Sequence, residues 1–247
     1  MPRRLTEANV LDVWESGLGG TPAARALLLA SMAAPSGQDV ADLPLSALNA
    51  LLLELRCGAF GEQLPCVTDC PACGESLDVT VSTAELWALG AARAATAAEG
   101  GHTAEPATGT LTAHGMEVTF RALTGRDVRA VDPAAPRARQ RLLRRCVLSV
   151  SPPADDVPDE VLEGVARQLP RLDPGADPVF ALDCPQCRHR WDAPLDIADH
   201  LWTDVSGYAQ RLLHEVHALA RAYGWTEADV LAVSPVRRQF YLEATAQ

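Results

Sequence analysis

The chain has 247 residues, 48% of them hydrophobic and 21% charged, a balance that excludes collagen-like, low-complexity and membrane-embedded classes and is ample for a buried core. Its 21 basic residues, all arginine, face 32 acidic ones, and the net charge of -11 repels phosphate backbones and anionic membranes. The basic start, 1–4, is followed by Glu7, Asp12 and Glu15 where a signal peptide needs an apolar run, and the longest apolar stretch, around 26–34, is about half of the ~20 residues a membrane span takes. A cytoplasmic protein without a membrane segment is the expectation.

Thr6 reads as an N-cap before Val10, Val13 and Trp14, and Thr21 with Pro22 opens a second helix through Leu27, Leu28 and Met32. A third helix carries Leu45, Leu48, Leu52 and Leu55 at spacings of three and four, a stripe for packing. From Ala91 to Gly109 the composition turns to Ala, Gly and Thr, the pattern of a solvated linker. Leu111–Ala113 and Val118–Arg121 flank His114-Gly115 and predict a β-hairpin. Helices are then expected at 126–131, 135–148 and 160–169. The middle one carries Arg137, Arg139, Arg141, Arg144 and Arg145, which suit pairing with the protein's own carboxylates or contact with nucleic acid.

Four of the seven cysteines form two matching units, Cys70-Pro71-Ala72-Cys73 and Cys184-Pro185-Gln186-Cys187. In such a turn the i and i+3 sulfurs converge, and two turns complete a tetrahedral site. The match continues beyond the cysteines. Leu77, Val79 and Val81 correspond to Trp191, Ala193 and Leu195, an alternating strand in both places, and Ser82 with Glu85 corresponds to Asp196 with Asp199, an N-cap followed three residues later by an acid. Knuckle, strand and capped helix therefore occur twice. The two knuckles are expected to face each other around a pseudo-twofold and share one structural Zn²⁺ through Cys70, Cys73, Cys184 and Cys187, although 110 residues lie between Cys73 and Cys184. Iron fits the same four thiolates. Arg188, His189 and Arg190 follow the second knuckle, where they offset the negative charge of the thiolates.

Redox catalysis by either CxxC needs the motif at the start of a helix, whereas a strand is predicted after each, and the missing export signal argues against disulfides. Cys66 falls opposite Phe180 in the internal alignment and reads as core; Cys57 and Cys146 read as buried thiols. His214-Glu215-Val216-His217 has its histidines three apart and not four, so it is not a zinc-protease helix; Leu212, Val216, Leu219 and Tyr223 are its expected buried stripe. No catalytic group set emerges, and a closed tetrathiolate offers no open position for Lewis-acid chemistry, so no enzymatic activity is expected.

The C-terminal text is a long helix, a Gly224-Trp225 break, a short helix capped by Thr226 with Asp229, and a last helix opened by Ser234-Pro235. Its pieces Glu215-Val216-His217, Leu219-Ala220, Tyr223-Gly224-Trp225, Ser234-Pro235-Val236-Arg237-Arg238 and Tyr241-Leu242-Glu243, preceded by a CPxC knuckle and Leu201-Trp202, resemble the baseplate hub assembly chaperone family of T-even phages and related proteins of contractile injection systems. The resemblance covers about residues 40–247. It implies a non-catalytic role in assembling or forming the baseplate or hub of a contractile tail, with other baseplate proteins as partners.

The expected fold is α+β and mostly helical, a split four-cysteine zinc ribbon built from two knuckle-strand-helix halves with N- and C-terminal helices. Its expected segments are N-terminal helices at 1–60, the first ribbon half at 61–90, a linker at 91–109, a hairpin and helical insertion at 110–175, the second half at 176–203 and a helical tail at 204–247. Arg237, Arg238 and Tyr241 are expected on one exposed face of the last helix as partner contacts. The alternative functions are a zinc-ribbon nucleic-acid-binding regulator, which the net charge disfavours, and a thiol-disulfide oxidoreductase.

Overall fold

A computed structural model describes residues 5–86, 105–154 and 156–245. The chain is α+β. Three helices come first: α1 (Glu7–Gly17), α2 (Pro22–Ala33) and, after a 3-10 turn at Val40–Asp42, α3 (Leu45–Phe60). The Thr6 hydroxyl accepts the Asn9 amide at 3.3 Å and the Thr21 hydroxyl accepts the Ala24 amide at 3.2 Å, so both expected caps form. Leu48, Leu52 and Leu55 of α3 are buried, and Leu45 is half-buried at the stripe's end.

These helices close around α7 (Ile197–Tyr223), a 27-residue helix whose Ile197, Leu201, Trp202, Val205, Ala209 and Leu212 enter the same core as Leu29, Leu52, Leu64 and Val81. The expected boundary at 203 falls inside this helix. Gly224, left-handed at φ +68, ends it. Then come α8 (Glu227–Ala232), opened by a Thr226–Asp229 capping box, and α9 (Pro235–Thr245), as the sequence predicts.

Two antiparallel hairpins frame the cysteines: β1 (Gln63–Asp69) with β2 (Ser76–Ser82), and β6 (Val179–Asp183) with β7 (Arg190–Pro194). Between them lies a second, smaller core. It comprises a three-stranded sheet, β3 (Thr108–Ala113), β4 (Met116–Arg121) and β5 (Val147–Ser151), with helices α4 (Gly125–Arg129), α5 (Ala138–Cys146) and α6 (Asp159–Leu172). Val118, Phe120, Leu143, Cys146, Val161, Leu162 and Val165 are among its buried residues. His114 and Gly115, both at positive φ (54 and 74), make the expected hairpin turn.

Two expectations change here. The helix expected over 135–148 stops at Cys146, and Val147–Ser151 pairs with β4 as β5. Val147 and Val150 find half-buried places on that sheet, and a segment beside an open strand edge gains ladder hydrogen bonds from the neighbouring strand. The linker expected at 91–109 ends sooner, since β3 begins at Thr108; its part at 91–104 lies outside the described residues.

Backbone pairing fastens the insertion to the main body. The Leu45 amide donates to the Leu123 carbonyl at 3.2 Å, and the Gly125 amide donates to that of Leu43 at 3.3 Å. At Gly125 an added Cβ would stand 2.7 Å from Leu27 Cδ2 and 2.8 Å from Leu48 Cδ1, so both leucine side chains would have to shift to admit it. Beside it Asp127, 1% exposed, accepts from Arg121 at 2.6 Å, from Arg145 at 3.1 Å and from the Thr124 amide and hydroxyl at 3.0 Å. Burial pushes this carboxyl up, but the Arg121 and Thr124 hydrogen bonds outweigh it and hold the pKa below the ordinary 3.8. A depressed carboxylate contributes stability that is present above its unfolded pKa and disappears as pH falls through the lower folded value. Chemical denaturation between pH 7 and pH 2.5 should therefore show Asp127→Asn closing its gap to the wild type below about pH 4. A constant gap would contradict this assignment.

Of the five arginines on or beside α5, Arg139 forks onto Glu163 at 2.9 and 3.0 Å, Arg144 meets Asp156 at 2.9 Å and Arg145 meets Asp127. For these three, the protein's own carboxylates occupy the guanidinium groups.

Candidate metal centre

Each CPxC sits in the turn of a hairpin, and neither begins a helix. The local geometry is the same twice. The Cys70 amide donates to the Glu75 carbonyl at 2.8 Å and the Gly74 amide to the Cys70 carbonyl at 2.9 Å; the Cys184 amide donates to the His189 carbonyl and the Arg188 amide to the Cys184 carbonyl, both at 2.9 Å. After each knuckle the second strand runs back, and the expected cap follows. The Ser82 amide donates to Glu85 Oε2 at 3.0 Å, and the Asp196 side chain accepts the Asp199 amide at 2.9 Å to start α7. Thr83 leads into a helical turn at 83–86; the rest of the first half's expected span, 87–90, lies outside the described residues.

The four sulfurs lie within 4.8 Å of one another, a set that could hold a metal ion. Cys70 Sγ is 3.7 Å from Cys187 Sγ, and Cys73 Sγ is 3.6 Å from Cys184 Sγ. Exchanging the two halves of the internal repeat turns each of these pairs into the other, so the sulfurs obey a pseudo-twofold. Burial obeys it too: the first cysteine of each knuckle is buried and the second exposed. Four sulfurs bonded at ~2.3 Å to one cation stand ~3.8 Å apart along the edges of a tetrahedron, a spacing that the Cys70–Cys187 and Cys73–Cys184 pairs match. The residues present therefore fit a tetrahedral tetrathiolate site.

The clustered sulfurs shift one another's ionisation in opposite directions. Burial pushes the Cys70 thiol up, but the amides of Ala72 and Cys73 and the neighbouring thiols outweigh it, bringing its pKa down to about 7. At Cys73 the Glu75 amide favours the thiolate, yet the sulfurs of Cys187, Cys184 and Cys70 together with burial push it up to about 12, since each further ionisation repels the first. A bound cation supplies the positive charge that such a group of thiolates lacks.

The remaining cysteines lie outside the four-sulfur group, as the alignment predicts for Cys66, while Cys57 is less buried than expected. Cys66 is half-buried against the main core, with its Sγ 3.7 Å from the Leu64 carbonyl, and burial raises its pKa. Cys146 is buried in the second core and pushed up to about 11, chiefly by burial; Cys57 is half-buried on α3. Behind the sulfurs the two hairpins leave a cleft of about 390 Å³ lined by residues that include Val79, Phe180 and His200. Arg190 pairs with Asp183 across β6 and β7, and His189 stacks on Trp191 with centroids 6.1 Å apart. Thus Arg190 neutralises a carboxylate in its own hairpin.

The three expected partner contacts do not share an exposed face, and the reading of Arg238 is corrected. Arg237 is exposed, but Arg238 is 2% exposed and lies between Glu7 of α1, at 2.6 Å, and Glu215 of α7, at 2.9 Å. Tyr241 is half-buried in an aromatic cluster with Tyr223 and Trp225, at centroid distances of 5.9 and 5.1 Å. Tyr223 itself is 42% exposed, not buried as its stripe suggests; it lies at the end of α7, where Trp225 and Tyr241 cover it only in part. His214 and His217 are exposed. Nothing local in the sequence separates Arg237 from Arg238; the partner carboxylate at position 7 is 231 residues away. No protein-family model, curated protein or solved structure matches this chain.

Proposed function

We propose that Cys70, Cys73, Cys184 and Cys187 hold one structural Zn²⁺ as a zinc ribbon whose halves are separated by an inserted sheet-and-helix unit, and that the chain is a non-catalytic assembly or structural component of the baseplate or hub of a contractile, phage-tail-like injection system. The observation that carries the metal assignment is the pseudo-twofold convergence of the four sulfurs. Four thiolates from two rigid turns close the coordination sphere, the arrangement of structural rather than catalytic zinc. The tail assignment rests on the C-terminal text, whose Gly224 break and Thr226–Asp229 and Ser234–Pro235 helix starts all correspond to element boundaries. With α9 anchored by Arg238, its exposed Arg237 and, beside the aromatic cluster, Tyr241 offer the groups that enter protein interfaces.

Elemental analysis should find one zinc per chain. The tagged chain should co-purify with sheath, tube, spike or wedge proteins encoded in its gene neighbourhood, and Arg237→Ala should weaken that capture while leaving the thermal midpoint unchanged. A neighbourhood devoid of tail genes would overturn the tail assignment without touching the metal one.

A further inference from the structure

The internal repeat makes a controlled comparison within one molecule. The residue four places after the first cysteine is left-handed in both knuckles, Gly74 at φ +75 and Arg188 at φ +60. Its amide closes the turn onto the first cysteine's carbonyl in each, so the turn itself demands that conformation. Glycine adopts it freely, whereas a residue with a Cβ is disfavoured there. The arginine is not filling a hole, since a Cβ on the equivalent Gly74 meets nothing within 4 Å and Arg188 is exposed. Among the described residues no carboxylate forms an ion pair with it. The next position also differs. Glu75 of the first knuckle is replaced by His189, which lies nearly parallel to Trp191 with an interplanar angle of 13°. One knuckle thus presents glycine and an acid, and its twin presents an exposed arginine followed in the chain by a nearly parallel His189–Trp191 pair. A side chain retained in a disfavoured conformation without a contact in its own chain points to a contact outside it.

We infer that the tip of the second knuckle is an interaction surface, with Arg188 as its anchor, for a segment of a partner protein that carries a carboxylate beside an aromatic side chain. The guanidinium fork matches a carboxylate with two parallel hydrogen bonds, and the His189–Trp191 pair provides a face for the neighbouring ring. Two sulfurs at the root of the turn, tied to those of the other knuckle by a shared cation, pre-organise it, so little ordering cost is left for binding. Charge complementarity selects a lone carboxylate over a run of phosphates: Arg190 is already neutralised by Asp183, Asp192 and Asp196 lie close by in the chain, and the net charge is -11. The inference deepens the reading of the chain as an interaction protein and rests on it, but not on the contractile-tail setting.

The test uses the full-length, metal-loaded protein and two fluorescein-labelled peptides, acetyl-Gly-Phe-Glu-Phe-Gly-amide and the same peptide with Gln for Glu, followed by fluorescence anisotropy. The wild type should bind the Glu peptide about ten-fold more tightly. Arg188→Gly should abolish that preference while metal content is kept and the thermal midpoint stays or rises, because glycine already serves at position 74. Arg188→Lys should retain only part of the preference, having lost the fork. Equal binding of the two peptides, an Arg188→Gly protein that still discriminates, or displacement of the Glu peptide by a single-stranded oligonucleotide at lower concentration than by unlabelled peptide would each overturn the inference. None of these outcomes bears on the presence of zinc, which the metal analysis reads separately.

Discussion

Removal of the metal, or replacement of Cys184 by serine, is expected to lower the thermal midpoint by at least ~20 °C. Structural zinc sites contribute about 10–16 kcal/mol of apparent binding free energy, as large as the whole net stability of a typical domain, and about 1 kcal/mol corresponds to 2–4 °C in a protein of this size. The architecture concentrates this effect. Both hairpins are two-stranded, a form that is marginal in water by itself, and their tips meet through the sulfurs. Their inner residues, Leu64, Val81 and Ala193, are buried, and Leu64 and Val81 belong to the core that α7 completes. Loosening the tips therefore exposes part of that core. Cys70→Ser and Cys184→Ser should be more damaging than Cys73→Ser and Cys187→Ser, since a hydroxyl at a buried position lacks both the cation and water. Chelator titration with circular dichroism and elemental analysis checks the expectation. An apo protein that melts with the holo protein would refute the structural role.

Arg238→Ala should destabilise the protein by about 3 kcal/mol, whereas the adjacent Arg237→Ala should change stability by less than ~0.5 kcal/mol. Arg238 is buried and ties its helix to two distant pieces of chain: its guanidinium reaches Glu7 at 2.6 Å and Glu215 at 2.9 Å, and also the nearby Val233 carbonyl at 2.9 Å. Tyr208 donates a further hydrogen bond to Glu7 at 2.9 Å, and burial followed by that carboxylate pushes the tyrosine pKa up to about 12. Truncating the arginine leaves Glu7, whose side chain is 19% exposed, without its cation. Water reaches Glu215 more easily, which places the cost at the low end for a broken buried pair. The double variant Arg238→Met with Glu7→Gln should recover part of the loss, because no uncompensated charge then remains at Glu7. Urea unfolding of the four proteins reads these differences. Equal effects of Arg237→Ala and Arg238→Ala would remove the basis for the assignment.

Local signals in the sequence translate into structure wherever the interaction has short range. The caps at Thr6, Thr21, Asp196 and Thr226 each involve partners three residues away, and each forms. The knuckle repeat is legible for the same reason, since turn, strand and cap are specified within about 16 residues, and its two copies corroborate each other. The metal centre adds one global step, the meeting of two such units, which the closed valence of a tetrathiolate site implies. Strand β5 escapes this kind of reading. Val147–Ser151 continues the apolar spacing of α5, and only the open edge of β4 makes it a strand.

Arg238 shows the same limit for function. By sequence it is the neighbour of Arg237 on a helix that reads as solvent-facing; in the fold it is inward, and of the two arginines only Arg237 keeps the exposure that a partner contact needs. Its burial depends on carboxylates contributed by α1 and α7, which no periodicity in α9 encodes.

By itself, then, the chain's text shows where the capped helices begin and which two turns carry the sulfurs that come together, because these depend on contacts a few residues apart. Tertiary structure decides which arginines are spent on the protein's own carboxylates and which remain free, and whether an apolar run lies on a sheet or a helix. Those outcomes depend on charges and strand edges supplied from tens to hundreds of residues away, where spacing carries no information about proximity.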